Sequence, residues 1–412
     1  MPMQKNGPVY AGIDVGTTRV RAVIGIVGDD DITPTIVGAG SAANRGMRKG
    51  TVNNVDEVAT AINMALEEAE RISGQNINGA TISVNGPHIV GLNSKGVIAI
   101  SGQGHEITND DLQRVEEAAS VVQLPANREI LQVFAKSYSL DGQENIKEPY
   151  GMSGVRLEVD AHIITAATPA LKNIDKTLQV AGININRHIL VGLASAESVL
   201  EPKQRESGVA VIDMGASTTN ILVIEEDDVQ HAAVLPVGSN NLTNDLAIGL
   251  KTDLDIAELV KVQHSSATGT EKKTRKHIEV GPEDGRHMFE RGLVDDIVAA
   301  RLDETFELIT RELKKIGREG KLPGGLVLVG GGSLLPGVDE YAKEKMQLPA
   351  KVGVPKNYSG IIDTTNTPEY AAAVGLMMLD MSFGQAYGSP SSIQRGADFG
   401  NMVKNFLGRF RS

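Results

Sequence analysis

Three short segments join glycine to a carboxylate or small hydroxyl residues, the types that handle phosphate and a hydrated divalent cation. The first runs Gly12-Ile13-Asp14-Val15-Gly16-Thr17-Thr18, and the second, about 200 residues further on, runs Val211-Ile212-Asp213-Met214-Gly215-Ala216-Ser217-Thr218-Thr219. A glycine-rich turn lets backbone N–H groups approach phosphate oxygens, because no Cβ stands in the way. An aspartate at a strand end suits Mg2+, which keeps most of its waters and takes one or two carboxylates. One Asp-x-Gly is usually an ordinary hairpin turn, but two on paired lobes would face each other across a cleft. The third segment is Leu328-Val329-Gly330-Gly331-Gly332-Ser333-Leu334-Leu335-Pro336-Gly337. Three glycines let a flat base lie against the backbone, where a plain strand–helix turn needs one, and Ser333 is placed to cap the helix that follows. Together the segments predict ATP held with Mg2+ between two α/β lobes.

The elements that must position these loops occur twice. Residues 9–15 and 20–27 are β-rich runs joined by a tight turn, followed by a strand at 35–39, a helix at 55–73 with apolar residues at helical spacing, and a strand at 81–84. A similar series opens at 208–214, with strands at 219–225 and 229–237 and helical segments at 240–249 and 255–262. Such a repeat predicts two lobes of one fold rather than a single large sheet. Between them, 88–161 reads as an inserted module: strands near 91–104, 130–140 and 155–164, and a helix at 108–122 capped by Thr108 or Asn109. The charged stretch 265–286 reads as an exposed excursion of the second lobe, and 381–397, rich in Gly, Ser, Pro and Gln, as a flexible linker.

Beyond the linker, Phe399, Met402, Val403, Phe406, Leu407 and Phe410 recur at the spacing of one helical face, with Lys404, Arg409 and Arg411 off that face. From Arg395 onward four cations face a single anion, Asp398, a local charge of +3 on a chain of −12. A short helix of this kind inserts at a headgroup boundary and favours anionic lipid. Six such side chains at ~1–2 kcal/mol each, less the cost of ordering the helix, give reversible binding for one copy and strong binding for a polymer of many.

The bulk composition excludes other classes. Hydrophobic residues make up 41% and charged residues 22%, a folded rather than disordered profile. Net acidity argues against a general nucleic-acid binder. The absence of cysteine rules out disulfides and thiolate chemistry, and fits a reducing compartment. Residues 1–7 lack a signal-peptide pattern, no run of about 18 apolar residues exists, and the eight histidines show no metal spacing.

The paired Asp-x-Gly hairpins, the Ala-rich helix at 193–200 before the second, the Gly-Gly-Gly-Ser turn and the Ala-rich helix at 369–379 resemble the actin/Hsp70/sugar-kinase superfamily over residues 9–380. Within it the chain is most similar to the FtsA family, the bacterial cell-division actins. The inserted module follows the fourth strand, where that family carries its 1C subdomain. Leu235-Pro236-Val237-Gly238 resembles the family's sequence before the 240–249 helix, and a linker delivers a terminal amphipathic helix. The resemblance implies a two-lobed actin-like ATPase fold with a 1C insert: a 1A core at 1–84, 164–203 and 366–382; 1C at 85–163; 2A at 204–240 and 300–365; 2B at 241–299; a linker at 383–397; and a membrane-targeting helix at 398–412.

The same resemblance implies roles. Asp14 and Asp213 would order the water shell of Mg2+. Gly16, Thr17, Thr18, Gly215, Ser217, Thr218 and Gly238 would meet the phosphates, and Arg21 falls where relatives place a phosphate-binding Lys. Gly330, Gly331, Gly332 and Ser333 would hold adenosine. Glu258 and Lys261 match a nucleoside-contacting Glu-x-x-Lys, and are equally an ordinary i, i+3 surface pair. The acid that orients attacking water in such ATPases is missing: Leu193 stands there, and Glu197 is one turn late. Slow hydrolysis at most is expected. The implied partners are the C-terminal peptide of FtsZ, met in 2B with Arg301 as a contact; further copies of the chain through 1C and 2B; anionic lipid; and later division proteins. The implied location is the cytoplasmic face of the membrane at the division site. A sugar or acid kinase of the superfamily, or the actin-like scaffold of a pilus inner-membrane complex, share the fold but have no use for such a tail.

Overall fold

The computed structural model describes residues 7–28, 33–101, 103–269, 276–281 and 286–387. The terminal helix predicted at 398–412 lies outside the described residues, as do positions 388–397 of the linker.

The first lobe is built on the hairpin Val9–Val15 and Arg19–Ile26, whose strands pair antiparallel so that Asp14 stands opposite Arg21. Thr35–Ala43 adds a third antiparallel strand. Gly79–Val84 and Asn184–Leu190 then extend the other edge in parallel, and the short Ser359–Gly360 completes a six-stranded sheet. The helix Val55–Ser73 covers one face. Asn54 caps it by accepting from the N–H groups of Asp56 and Glu57, and Gly74 ends it in the left-handed region at φ 68°. Val58, Ile62, Ala65, Leu66 and Ala69 form the buried stripe that the spacing predicted, while Ile72, the last residue at that spacing, is exposed.

The second lobe repeats the plan. Val209–Met214, buried along its whole length, pairs antiparallel with Thr219–Glu225, which pairs in turn with Asp228–Leu235. Gly325–Val329 and Ala350–Val352 continue the sheet in parallel. Asp213 stands opposite Asn220, as Asp14 stands opposite Arg21. The helices Ser239–Leu250, Leu254–His264 and Arg291–Lys315 pack beside it around Phe306, which is fully buried.

The insert is a separate antiparallel sheet in the order Val90–Ala99, Arg156–Ala167, Arg128–Leu140, Gln143–Ile146. Helix Asn109–Ser120 packs on it, and its cap is Thr108, in a reciprocal box with Asp111. The insert also meets the second lobe: the N–H of Ala232 donates to Nε2 of His162 at 3.0 Å. Burial, then the neighbouring His231, lowers the His162 pKa to about 4, so its ring is neutral and free to accept.

Two alanine-rich helices, Val191–Val199 and Ala371–Tyr387, join the lobes through one core that includes Leu193, Val211, Leu222, Val327 and Leu376. They cross very closely. A Cβ on Gly375 would lie 1.7 Å from the carbonyl oxygen of Ala194, so only glycine fits.

Two expectations are corrected. The linker does not start at 381 or 383: helix Ala371–Tyr387 runs on, with Met381 and Phe383 buried in two different clusters. A helix buried on opposite sides has no polar face and so leaves no periodic signal. The stretch 265–286 is only partly an excursion. Strand His277–Val280 pairs with His287–Glu290 and buries Ile278 and Val280, while 270–275 and 282–285 lie outside the described residues.

Candidate functional site

The ends of the two central hairpins meet at a cleft of about 670 Å3 between the lobes, a volume in the range of small-molecule sites. Asp14 leaves the first strand here. The hydroxyl of Ser83, at the end of the adjacent parallel strand, donates to its carboxylate at 2.8 Å and accepts from the N–H of Val15 at 2.9 Å. Asp213 leaves the matching strand of the second lobe and accepts from the Ser195 hydroxyl at 2.9 Å. In each lobe a serine from a neighbouring element fixes the aspartate's orientation. The lobes touch where Nδ2 of Asn85 donates to Oγ1 of Thr218 at 2.9 Å.

The third loop closes the cleft from the side. Gly330 has φ 79°, and a Cβ there would sit 2.5 Å from the Asp213 carboxylate, so glycine is needed for both conformation and space. The N–H of Gly330 donates to the carbonyl of Pro368 at 2.9 Å, which ties the loop to the turn Pro368–Tyr370. Glu258 and Lys261, which also line the cleft, form a hydrogen-bonded triangle with Thr243, with sides of 2.6, 2.6 and 3.0 Å.

Asp14 and Asp213 are held in surroundings that disfavour charge. Burial raises the pKa of Asp14, against the lowering effects of the Ser83 hydrogen bond and Arg21. Asp213 is pushed up to about 7, chiefly by burial and then by the charge of Asp14. Two carboxylates whose pKa values are both raised, that of Asp213 partly by the charge of Asp14, are suited to share a divalent cation. They supply only oxygen ligands, the preference of Mg2+. Among the described residues no group of three or more His, Cys, Asp or Glu gathers to hold a metal directly. Two aspartates suit a cation that keeps most of its waters, and the residues present fit that arrangement.

Of the positions singled out in the sequence, Asp14, Gly16, Thr17, Thr18, Arg21, Asp213, Gly215, Thr218, Gly238, Glu258, Lys261, Gly330, Gly331 and Gly332 line this one cleft. Four others fall elsewhere or face differently. Ser217 is half-buried and outside the lining. Ser333 caps nothing: its hydroxyl turns back to the Gly330 carbonyl at 2.8 Å inside a 3-10 turn. Glu197 is buried in an ion pair with Arg205 at 3.0 Å, so it cannot serve as a base in the cleft. Arg301 lines the cleft rather than an outer surface, with its guanidinium bound by Asp245 and Glu304. The sequence reading missed Ser83, Asn85, Ser195 and Glu369. The available signal was topological: in such sheets, sites gather beyond the carboxyl ends of the strands, and Asn85 directly follows Gly79–Val84.

The arrangement of the two lobes is shared with solved structures. A chain of a PilM-PilN type IV pilus biogenesis complex superposes with a TM-score of 0.64 at 16% identity, covering 90% of this chain and 98% of that one. MreB5 of Spiroplasma citri bound to ADP superposes at 0.54 with 12% identity, covering 92% and 98%. The protein thus has the two-lobed actin-like ATPase fold. A family model described as Cell division protein FtsA matches residues 210–375, and one for the SHS2 domain inserted in FTSA matches 86–165. Cell division protein FtsA of Pseudomonas aeruginosa is 37% identical over 381 residues, covering 92% of this chain and 90% of the relative. That of Bacillus subtilis is 34% identical over 374 residues, covering 90% and 83%. The chain belongs to the FtsA family of cell division proteins, as the sequence resemblance implied.

Proposed function

We propose that this chain binds Mg-ATP between its lobes and uses the closed state to build a polymer that tethers the FtsZ ring to the cytoplasmic face of the membrane. One observation carries the nucleotide arm: Asp14 and Asp213, from two equivalent hairpins, converge on a glycine-walled cleft. In this reading the glycine turns and Thr218 meet phosphate, Gly330 to Gly332 face the base, and the Glu258–Lys261 pair meets the nucleoside. Bound Mg2+ would neutralise phosphate charge. Asp14 and Asp213 orient its waters, and Ser83 and Ser195 hold the two aspartates in place. Leu193 is buried where an orienting acid would stand and Glu197 is neutralised by Arg205, so turnover is slow and the nucleotide acts mainly as a switch.

In this reading the modules have the boundaries drawn from the sequence, except that helix Ala371–Tyr387 carries the first lobe past 383, and the insert and the 2B region are contacts between copies, with the insert also the meeting place for later division proteins. Arg301 would have to leave Asp245 and Glu304 to receive the acidic FtsZ peptide. Kinase and pilus-scaffold readings share this fold, but the relatives at 34–37% identity are division proteins.

The tether arm rests on the terminal apolar stripe and its basic flank. It is tested by co-sedimentation with anionic vesicles, using the whole chain and a chain ending at Ser392, both with Mg-ATP. The whole chain pellets and the shortened chain stays in solution. Phe406→Glu behaves like the shortened chain. Equal pelleting of all three contradicts the tether.

A further inference from the structure

Arg21 is the one cation that the hairpin register sets beside the aspartates, and it is already occupied. Its guanidinium pairs with the carboxylate of Glu369 and lies 5.6 Å from the centre of the Tyr370 ring. Arg21 and Glu369 both line the cleft. The arginine side chain is 12% exposed and the glutamate 32%, so the pair sits at the cleft wall rather than in open solvent. Glu369 is also held in place. Its turn, Pro368–Tyr370, accepts the N–H of Gly330, and its carboxylate lies 3.7 Å from where a Cβ on Gly331 would be. The arginine that stands opposite Asp14 in the hairpin is thus bound to an anion that the fold itself supplies.

We propose that Glu369 sets the affinity of the cleft: its carboxylate competes with the polyphosphate of the nucleotide for the guanidinium of Arg21. This rests on the reading of the cleft as a nucleotide site. Entry of the nucleotide exchanges one charge-assisted contact for another, so the Arg21–Glu369 pair offsets part of the binding free energy. It also links the first hairpin to the third loop in the free state, and binding releases that link.

The test is equilibrium binding of Mg-ATP to the whole chain, followed by calorimetry. Glu369→Gln removes the competing charge with little change of shape and tightens binding about tenfold, the size expected when one charge-assisted contact is freed. Glu369→Ala gives the same direction. In an Arg21→Gln background binding is weaker, and Glu369→Gln then tightens it by less than about threefold, because only direct repulsion of phosphate is left. Thermal melts confirm that each variant is folded. Three results overturn the proposal: unchanged affinity in Glu369→Gln, weaker affinity, which would assign the carboxylate to the bound cation, or the same tightening in both backgrounds, which would reduce it to plain repulsion. If the unaltered chain fails to bind Mg-ATP, the nucleotide reading itself is lost. That outcome is distinct from a chain that binds well and ignores Glu369.

Discussion

Replacing Asp213 with alanine weakens Mg-ATP binding by about 10- to 100-fold, the range for residues that hold a metal ion through its outer shell. Asp213 reaches the cleft from the end of Val209–Met214, and the Ser195 hydroxyl fixes its orientation. Its carboxylate faces that of Asp14, and each carries a raised pKa in a buried setting. The variant removes half of the anionic pair that would hold the cation, while the glycine turns that meet phosphate remain. Binding of ATP with Mg2+ chelated is therefore unchanged or slightly tighter, since one repelling charge has gone. The sign of the pH effect follows from the same shift. Below about 7 the Asp213 carboxyl of the free protein carries a proton, which the cation must displace. Affinity for Mg-ATP falls as pH drops from 8 towards 6, and this dependence weakens in Asp213→Ala. Equal loss of binding with and without Mg2+ would show that Asp213 supports the fold of the loop rather than the cation.

Gly375→Val has the largest expected effect on stability. A Cβ on Gly375 meets the backbone oxygen of Ala194 at 1.7 Å, so the helices Val191–Val199 and Ala371–Tyr387 must separate to admit any side chain. Overpacking that moves backbone costs upwards of ~3 kcal/mol, more than the repacking of a flexible side chain. Urea unfolding measures it. The control is Gly292→Ala, near the start of helix Arg291–Lys315, where a Cβ meets nothing within 4 Å. That change stabilises by ~0.5–1 kcal/mol, because alanine loses less freedom than glycine on entering a helix. The helix crossing also bears on the site, since Ser195 follows Ala194 directly and holds Asp213. Gly375→Val should thus weaken Mg-ATP binding even where the protein remains folded. Unchanged stability in the valine variant would mean that the two helices do not meet as described.

How much of this was legible in the sequence depended on how local the cause was. The two hairpins could be read because alternation, Asp-x-Gly turns and glycine all act within a few residues, and the hairpin register alone puts Arg21 opposite Asp14. The groups that complete the site could not. Ser83 and Ser195 come from a strand and a helix that only the folded sheets bring beside Asp14 and Asp213. Asn85 meets Thr218 across the lobes, 133 positions apart in the chain. Glu369 reaches Arg21 across 348. Glu197, already one turn late, is held away from the cleft by Arg205 of the next helix, Pro202–Ser207, a pairing that the sequence did not reveal. Arg301 was expected as a contact to a partner peptide, but it lines the cleft and pairs with Asp245 on helix Ser239–Leu250, 56 positions away in the chain. The end of helix Ala371–Tyr387 was hidden for the opposite reason: residues buried all round give no period to read.

The most direct measurement is a calorimetric titration of the whole chain with ATP, in Mg2+ and again with the cation chelated, set beside the same titration of a chain carrying Asp14→Ala and Asp213→Ala together. The cleft described here predicts saturable binding of one nucleotide per chain, tighter with Mg2+ than without, and loss of that Mg2+-dependent gain in the double variant. Failure of the unaltered chain to bind, or Mg-ATP affinity that survives removal of both aspartates, would contradict it.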